Sequence, residues 1–538
     1  MAHRVNQSVA APSIPDVSVV IAVYNTMPYL TRCLSSVLRQ SIGTDRLEVI
    51  AIDDGSTDGS ADELDAWARR HPGTITVQHQ PNSGGPAAPS NRALEIATGR
   101  YVFFLGADDY LSREALERLV ARADELDADI VLGRLVGAGG RWVSQSVYAQ
   151  GDRDTITLAD SALPWALSNT KLFRRSLIED NGLRYPEQLR SYSDQPFTLR
   201  AVMAARRIAV RADDVFYHAV RRTDSSNITY RTSLSGFVRD ATAVMDTAAE
   251  VVTDPIARER VLHRNFSWEI AKLLGDRFLA ADRNEQQLVQ DGVRKLADAY
   301  LSDRIRADLE VHRRIPISVA QHGTLDDLIA VARHYAAHGL APVVPDGDRF
   351  YVALPGFRDP ARGFPDSWYD ASNAIRKLVH QTGPADVRWA YDGDGRRVLV
   401  VRWHSAMPGL DRPTDPPARV DAGGCPGYLT LTPGAESGTD AVAEFTVDDL
   451  IVNAQRRRRR RIRFTWTTLG RPYADYITGL DLTAAGRIVY RRGLRFYVLH
   501  TKYDRNLRLR VVINPVNARR IAGRVAHEWR HRRAIATG

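Results

Sequence analysis

The chain has 538 residues, 44% apolar and 25% charged, which excludes a peptide-sized binder and a disordered polymer and implies about three or four packed units. Lysine and arginine exceed aspartate and glutamate by 73 − 64 = 9, so the surface favours polyanions such as nucleic acid, anionic lipid or a phosphate-rich polymer. Cys33 and Cys425 suit neither a disulfide framework nor a zinc site, and no apolar run has the length of a signal peptide or the roughly 20 residues of a membrane span, so a reducing, cytoplasmic setting is expected.

From Val17 to about Val136, short apolar runs alternate with polar turns and helical spacing. VSVVIAVYN reads as a strand, LTRCLSSVLRQS as a helix and LEVIAIDD as a strand; a helix begins near Ser60, followed by ITVQHQ, a helix around NRALEIATG and the strand YVFFLGADD. Short apolar strands separated by helices predict a doubly wound α/β domain with a buried parallel sheet. Polar residues gather at the strand ends Tyr24-Asn25, Asp53-Asp54-Gly55-Ser56 and Asp108-Asp109, where such sheets bind ligands. Residues from about 231 to 335 keep helical spacing in FVRDATAVMDTAAEVV, RVLHRNFSWEIAKLLGDRFLA and LDDLIAVARHYAAHG. From about 348 the pattern alternates, as in RRVLVVRWHS, YLTLTPG, RIRFTWTTLG, GLRFYVLHTKY and LRLRVVINP, with turns at Asp392-Gly393 and Asp394-Gly395; antiparallel sandwich modules are expected. MPGLDRPTDPPA, from Met407, marks a loop or module boundary.

Asp53 and Asp54 suit hydrogen bonds from a base or ribose, and Gly55 permits close backbone approach; DDGSTDGS is equally a turn with a helix cap. Asp108 and Asp109 follow a strongly apolar strand, where adjacent carboxylates repel unless donors or a cation compensate. Hard oxygen ligands suit Mg²⁺ or Mn²⁺ bridging a diphosphate, while Asp109 also suits capping of the following helix.

VSVVIAVYN, DDGSTDGS, NSGGPAAPSNRALEIATGRYVFFLGADD and SYSDQPF, in this order, resemble the family 2 glycosyltransferases with a GT-A fold, over roughly residues 15–230. The resemblance implies that Ala22, Tyr24, Asp53 and Asp54 line a uracil and ribose pocket. It also implies that Asn82, Asn91 and Arg92 approach the nucleotide and that Asp108 holds the metal. Asp194 would be the general base on the acceptor hydroxyl in an inverting transfer; a lone aspartate before an apolar helix is otherwise a cap. The chain departs from the family pattern at Gly106, where the first aspartate of Asp-X-Asp-Asp is usual, at Ala22 for proline and at Ser90 for arginine. Downstream, YHAVRRTDSSNITY is expected to cover the site, with Asp109 as a further metal ligand, His218 as another or as a structural histidine, and Arg222 on the diphosphate or a phosphorylated acceptor.

Within that family, GGPAAPSN, the helical stretch, RFYVALPGFRDP and FPDSWYD look like the wall-teichoic-acid glycosyltransferases that decorate poly(polyol phosphate). The expected organisation is a GT-A catalytic domain over 15–230, a helical linker over 231–345, and a β-rich accessory region over 346–538 with one or two sandwich modules. The donor would be a nucleotide-diphosphate sugar and the acceptor a polyanionic glycopolymer, with Mn²⁺ or Mg²⁺ as cofactor. The resemblance further implies a homotrimer, held through the carboxyl-terminal modules and peripheral to the inner face of the membrane. Arg456–Arg461 read as a solvated loop, as a polyanion or membrane contact, or as a nucleic-acid or import signal, which no recognition motif supports. The alternatives to the enzyme are a catalytically decayed polymer-binding or assembly protein and a transferase for another capsular or surface polysaccharide.

Overall fold

A computed structural model describes residues 14–222, 232–339, 342–374, 386–435, 438–468, 471–478, 485–504 and 508–516. Two compact units are present, the first running to Leu309 and taking in Ala320–Leu325, the second holding Glu310–Val319 and the chain from Asp326.

The first unit is built on a seven-stranded sheet in the order β3-β2-β1-β4-β8-β6-β9. The strands are β1 (Val17–Val23), β2 (Leu47–Asp53), β3 (Ile75–His79), β4 (Tyr101–Phe104), β6 (Ile130–Gly133), β8 (Leu172–Arg174) and β9 (Ile208–Arg211). β1 and β2 are almost wholly buried on both faces, as continuous Val/Ile runs require in a sheet covered by helices. Helix α1 (Tyr29–Leu38) buries Leu30, Cys33, Leu34 and Val37, one face of a 3.6-residue period. The sheet is not entirely parallel, because β8 runs against both β4 and β6. The chain reaches β8 through residues 139–171, which hold short 3₁₀ turns and no crossover α-helix, so nothing forces a parallel return.

Register sets the heights of the ligand-facing ends. Val23 lies level with Asp53, and Val20 with Phe104, so the segments after β1, β2 and β4 leave one edge together. A second, three-stranded sheet joins β5 (Tyr110–Leu111), β10 (Tyr217–Val220) and β7 (Leu135–Ala138), with Tyr217 opposite both Leu111 and Leu135. It carries residues 217–222 across the end of β4.

Helices Leu234–Val251 and Pro255–Asn265 also belong to the first unit, with Ser233 and Asp254 accepting the N-cap bonds from Gly236 and Ala257. One π-helical turn, Phe266–Ile270, follows. Among the described residues no helix is long and apolar enough to cross a membrane.

The second unit contains the hairpin of β11 (Val343–Asp346) and β12 (Arg349–Val352) and an antiparallel sheet in the order β13-β14-β17-β16-β15-β18-β22-β21-β20, with β19 also on β18. These strands are β13 (Val387–Tyr391), β14 (Arg397–Ser405), β15 (Arg419–Ala422), β16 (Cys425–Pro433), β17 (Thr439–Thr446), β18 (Arg458–Thr468), β19 (Arg471–Tyr476), β20 (Ile488–Arg492), β21 (Arg495–Tyr503) and β22 (Leu509–Val516). The β13–β14 hairpin turns at Asp392, whose carboxylate accepts from Asp394 and Arg396 amides at 3.0 and 2.8 Å. The Pro-rich stretch from Met407 lies between β14 and β15. β18 buries Ile462, Phe464 and Trp466 on one face. Four members of the arginine run, Arg458–Arg461, are strand residues of β18 rather than a loop, because that alternation continues backward and β22 supplies the backbone partners.

Candidate active site

The loops after β1 and β2 are laced together. Asn25, at φ 48°, accepts from the Thr57 amide at 2.7 Å and gives its own amide to Ser56 Oγ at 3.0 Å. The Asp58 carboxylate accepts from Met27 and Ser60, and these bonds hold its pKa below the usual carboxylate range against the opposing effect of burial. Gly55 has φ +77°, and a Cβ there would lie 2.9 Å from the Asn82 amide nitrogen. The glycine therefore serves close packing of loop on loop.

Asp53 and Asp54 are buried. Asp53 accepts from the Ser56 amide at 3.2 Å and meets His79 Nδ1 at 3.2 Å; the hydrogen bonds of Asp53 and Asp65 raise the His79 pKa. Asp54 accepts from Gln80 at 2.6 Å and from the Ser83 amide and hydroxyl at 3.0–3.1 Å. Asn82 donates to the Asp54 carbonyl at 3.0 Å. Both aspartates thus anchor the loops that surround the strand ends. Tyr24 is exposed and Ala22 half-buried beside them.

Asn91 and Arg92 are occupied elsewhere. Asn91 is buried, donating to Tyr185 O at 2.9 Å and Glu187 at 2.8 Å and accepting from the Tyr185 amide at 2.8 Å. It staples helix Ala87–Ile96 to residues 185–187. Arg92 donates to Gln78 at 2.7 Å.

At the end of β4 the adjacent aspartates divide. The Tyr217 hydroxyl donates to Asp109 at 2.5 Å and accepts from the Gly106 amide at 3.1 Å, while the Val220 amide donates to the other Asp109 oxygen at 2.7 Å. Burial, then the Asp108 charge, push Asp109 up to about 6, and burial pushes the Tyr217 phenol well up. A Cβ at position 106 would stand 2.7 Å from Asp109 Oδ2. Gly106 is therefore what lets Asp109 fold back onto Tyr217. Asp108 points the other way and accepts from Arg222 Nε at 2.9 Å, and Arg222 also donates to Asn25 O at 2.9 Å.

His218, on the other face of β10, stacks on Tyr110 at 4.4 Å and reaches Ser112 Oγ at 3.1 Å; burial, then Arg32, lower its pKa. The structure does not bring it to Asp108, because strand alternation turns it away from Tyr217. Asp109 is likewise occupied by its two donors. Among the described residues no cluster of three metal-ligating side chains exists. Residues 223–230 of the expected covering segment lie outside the described residues.

Asp194 opens helix α6 (Asp194–Ala204). The helix is fastened to the end of β4 by aromatic packing, with Phe197 5.4 Å from Phe104 and 4.2 Å from Tyr185. Asp194 is half-buried, and burial raises the pKa of its carboxyl against the lowering effects of Arg264 and then Lys171. Lys171, only 2% exposed, donates to Ser168 O; burial lowers it to about 7, against the raising effect of Asp194. Arg264 lies 2.5 Å from Glu269 and donates to Gln195 at 2.8 Å, while Gln195 donates to Glu269 at 3.0 Å. Lys171, Arg264, Glu269 and Tyr217 carry no motif in the sequence, and only tertiary packing brings them to Asp194 and Asp109.

Residues 18–181 match the model described as glycosyl transferase family 2, and residues 235–332 match the glycosyl transferase TarS linker domain. Over 206 residues the chain is 37% identical to a poly(ribitol-phosphate) beta-glucosyltransferase of Bacillus spizizenii, covering 38% of this chain and 32% of that protein. The crystal structure of Staphylococcus aureus TarS 1–349 in complex with UDP-GlcNAc aligns at TM-score 0.56 and 26% identity, over 65% of this chain and 98% of that one. The crystal structure of S. aureus TarS aligns over 94% of this chain and 86% of its own at TM-score 0.60 and 20% identity, a likeness of fold. The chain spans about a third of the length of the curated relatives it matches first.

Proposed function

Because this chain carries a glycosyl transferase family 2 domain, we propose that it moves a sugar from a UDP-sugar to a hydroxyl of a poly(polyol phosphate), by an inverting displacement with Asp194 as general base. The observation that carries the reading is that the helix opened by Asp194 packs through Phe197 on Phe104 at the end of β4, just before Asp108. A base for a hydroxyl works best with a pKa lifted toward neutrality while still ionised. Burial supplies the lift, and Arg264 and Lys171 keep the carboxylate charged. The relatives that act on poly(ribitol phosphate), and the neighbour that binds UDP-GlcNAc, support the acceptor and donor classes.

Tyr24 and the loops anchored by Asp53, Asp54 and Asn82 would receive the base and ribose. Arg222 would take phosphate oxygens as a planar fork. In this reading the chain is a transferase domain over 15–230, a helical linker over 231–345 and an accessory region over 346–538, the last holding a homotrimer together. Nucleotide sugars are cytoplasmic metabolites, which puts the reaction at the inner face of the membrane.

The donor set suits a hydrated Mg²⁺ or Mn²⁺ held jointly with substrate phosphates, since such ions need one or two carboxylates and otherwise water and phosphate oxygen. Asp108 would hold it, without Asp109 or His218. When bound, the ion offsets charge on the leaving diphosphate. Asp108→Ala should therefore weaken UDP-sugar binding in Mn²⁺, and EDTA should abolish turnover; full turnover after exhaustive chelation would leave the charge to Arg222.

The test is incubation with UDP-glucose and with UDP-GlcNAc, plus poly(ribitol phosphate), reading UDP release against polymer mass. The two should rise together for one donor. UDP release without mass gain would make the protein a hydrolase in this assay and sink the acceptor assignment.

A further inference from the structure

We propose that the outer face of β18, β22 and β21 is a second acceptor site, a docking surface for the phosphates of the polymer that is glycosylated; it rests on the function proposed above. Three strands carry cations in register. Arg461 stands opposite Arg510, and Arg510 opposite Lys502, so one row crosses the sheet with three positive residues. The next row holds exposed Arg459, half-buried His500 and, between them, buried Val512, so the accessible charge of this row lies at Arg459. Arg463 lies two residues beyond Arg461, on the same face.

Side chains directly opposite in an antiparallel pair are neighbours, and like charges there oppose folding. Here they are scarcely compensated. Asp504 takes Arg461 at 2.7 Å, and Asp421 stands opposite Arg463 while accepting from the Gly424 amide at 2.9 Å. Among the described residues Arg459, Arg463, Arg510 and Lys502 have no carboxylate within ion-pair distance. Burial and then neighbouring arginines, Arg510 first, depress Lys502; burial, then Arg487 and Lys502, depress His500. Arg508 and Arg461 also lie over the Tyr476 ring, at 4.8 and 5.9 Å.

The opposite face of β18 is the core, through Ile462, Phe464 and Trp466, so the outward arginines cannot turn inward to find partners. Such a face complements a flexible chain of regularly spaced phosphates, each able to take an arginine fork. Holding the polymer here raises its effective concentration at a separate transfer site.

The experiment uses the full chain and fluorescently labelled, sugar-free poly(ribitol phosphate), titrated at several NaCl concentrations, with R459Q/R463Q/K502Q against wild type. R402Q, an exposed arginine on β14, is the control. The expected result is at least about a tenfold loss of polymer affinity with a shallower salt dependence. R459Q and K502Q alone should show smaller losses, R402Q none; the melting temperature should not fall, and assembly by light scattering should not change. Transfer to a short ribitol-phosphate oligomer should be unaffected in the triple variant. Failure of the wild type in that oligomer arm would count against the proposed function and leave the binding arm readable. Unchanged polymer affinity in the triple variant overturns the docking surface. A changed assembly would make this face a contact between copies, and equal affinity for phosphatidylglycerol vesicles or duplex DNA would make it a general anion surface; either outcome also overturns the proposal.

Discussion

At the strand ends of the first unit, carboxylates are brought together and then satisfied. Asp54 accepts from Gln80 and Ser83, and Asp109 from Tyr217 and Val220, while Asp108 meets Arg222. On the β18–β22–β21 face of the second unit, cations are brought together, and four of those described are left without carboxylate partners. Buried charge must be hydrogen-bonded or paired to be tolerated at all, whereas exposed charge can stay unpaired because water screens it. The first arrangement therefore makes a rigid frame in which single residues matter, and the second makes a surface whose effect is distributed over many.

Asp194→Asn should break the comparison most severely, lowering kcat by about 10²–10⁴-fold while calorimetry finds UDP-sugar affinity unchanged. Near-normal turnover would remove Asp194 from catalysis. Next in size, Tyr217→Phe takes a donor from buried Asp109 and an acceptor from the Gly106 amide. Urea unfolding should show a loss of about 1–3 kcal/mol. An unchanged midpoint would mean that the frame does not depend on this hydroxyl.

Lys171→Met removes a positive charge that lowers the Asp194 pKa. Asp194 would then hold its proton to higher pH, so the acid limb of the kcat/KM profile should move upward. A limb that moves down, or stays, would show that the lysine acts only in packing. The smallest effect belongs to the other region. Arg459→Gln relieves like-charge crowding and should leave stability unchanged or raise it by about 0.2–1 kcal/mol; a clear loss would mean that Arg459 is structurally paired.

The strands and helices of the first sheet were legible because their apolar runs are continuous and the polar clusters fall where those runs stop. The location of the acidic clusters followed directly. The division of labour between Asp108 and Asp109 did not, since it is set by Tyr217, 108 residues beyond Asp109, and by a glycine whose missing Cβ makes room. Asn91 read as a nucleotide contact, and its hydrogen bonds to the Tyr185 backbone had no signal in the sequence. Lys171 and Arg264 come to Asp194 only through tertiary packing. The antiparallel β8, three residues long, is too short for its pattern to reveal direction. In the second unit, Ile462, Phe464 and Trp466 signal a strand, while the preceding arginines mask how far it extends.

The central claim is a single displacement at the anomeric carbon with Asp194 removing the acceptor proton, and the configuration of the product tests it most directly. With an α-linked UDP-sugar and poly(ribitol phosphate), proton NMR of the purified polymer should show the large H1–H2 coupling of a β-linked residue. An α-linked product would mean retention of configuration and would contradict the mechanism.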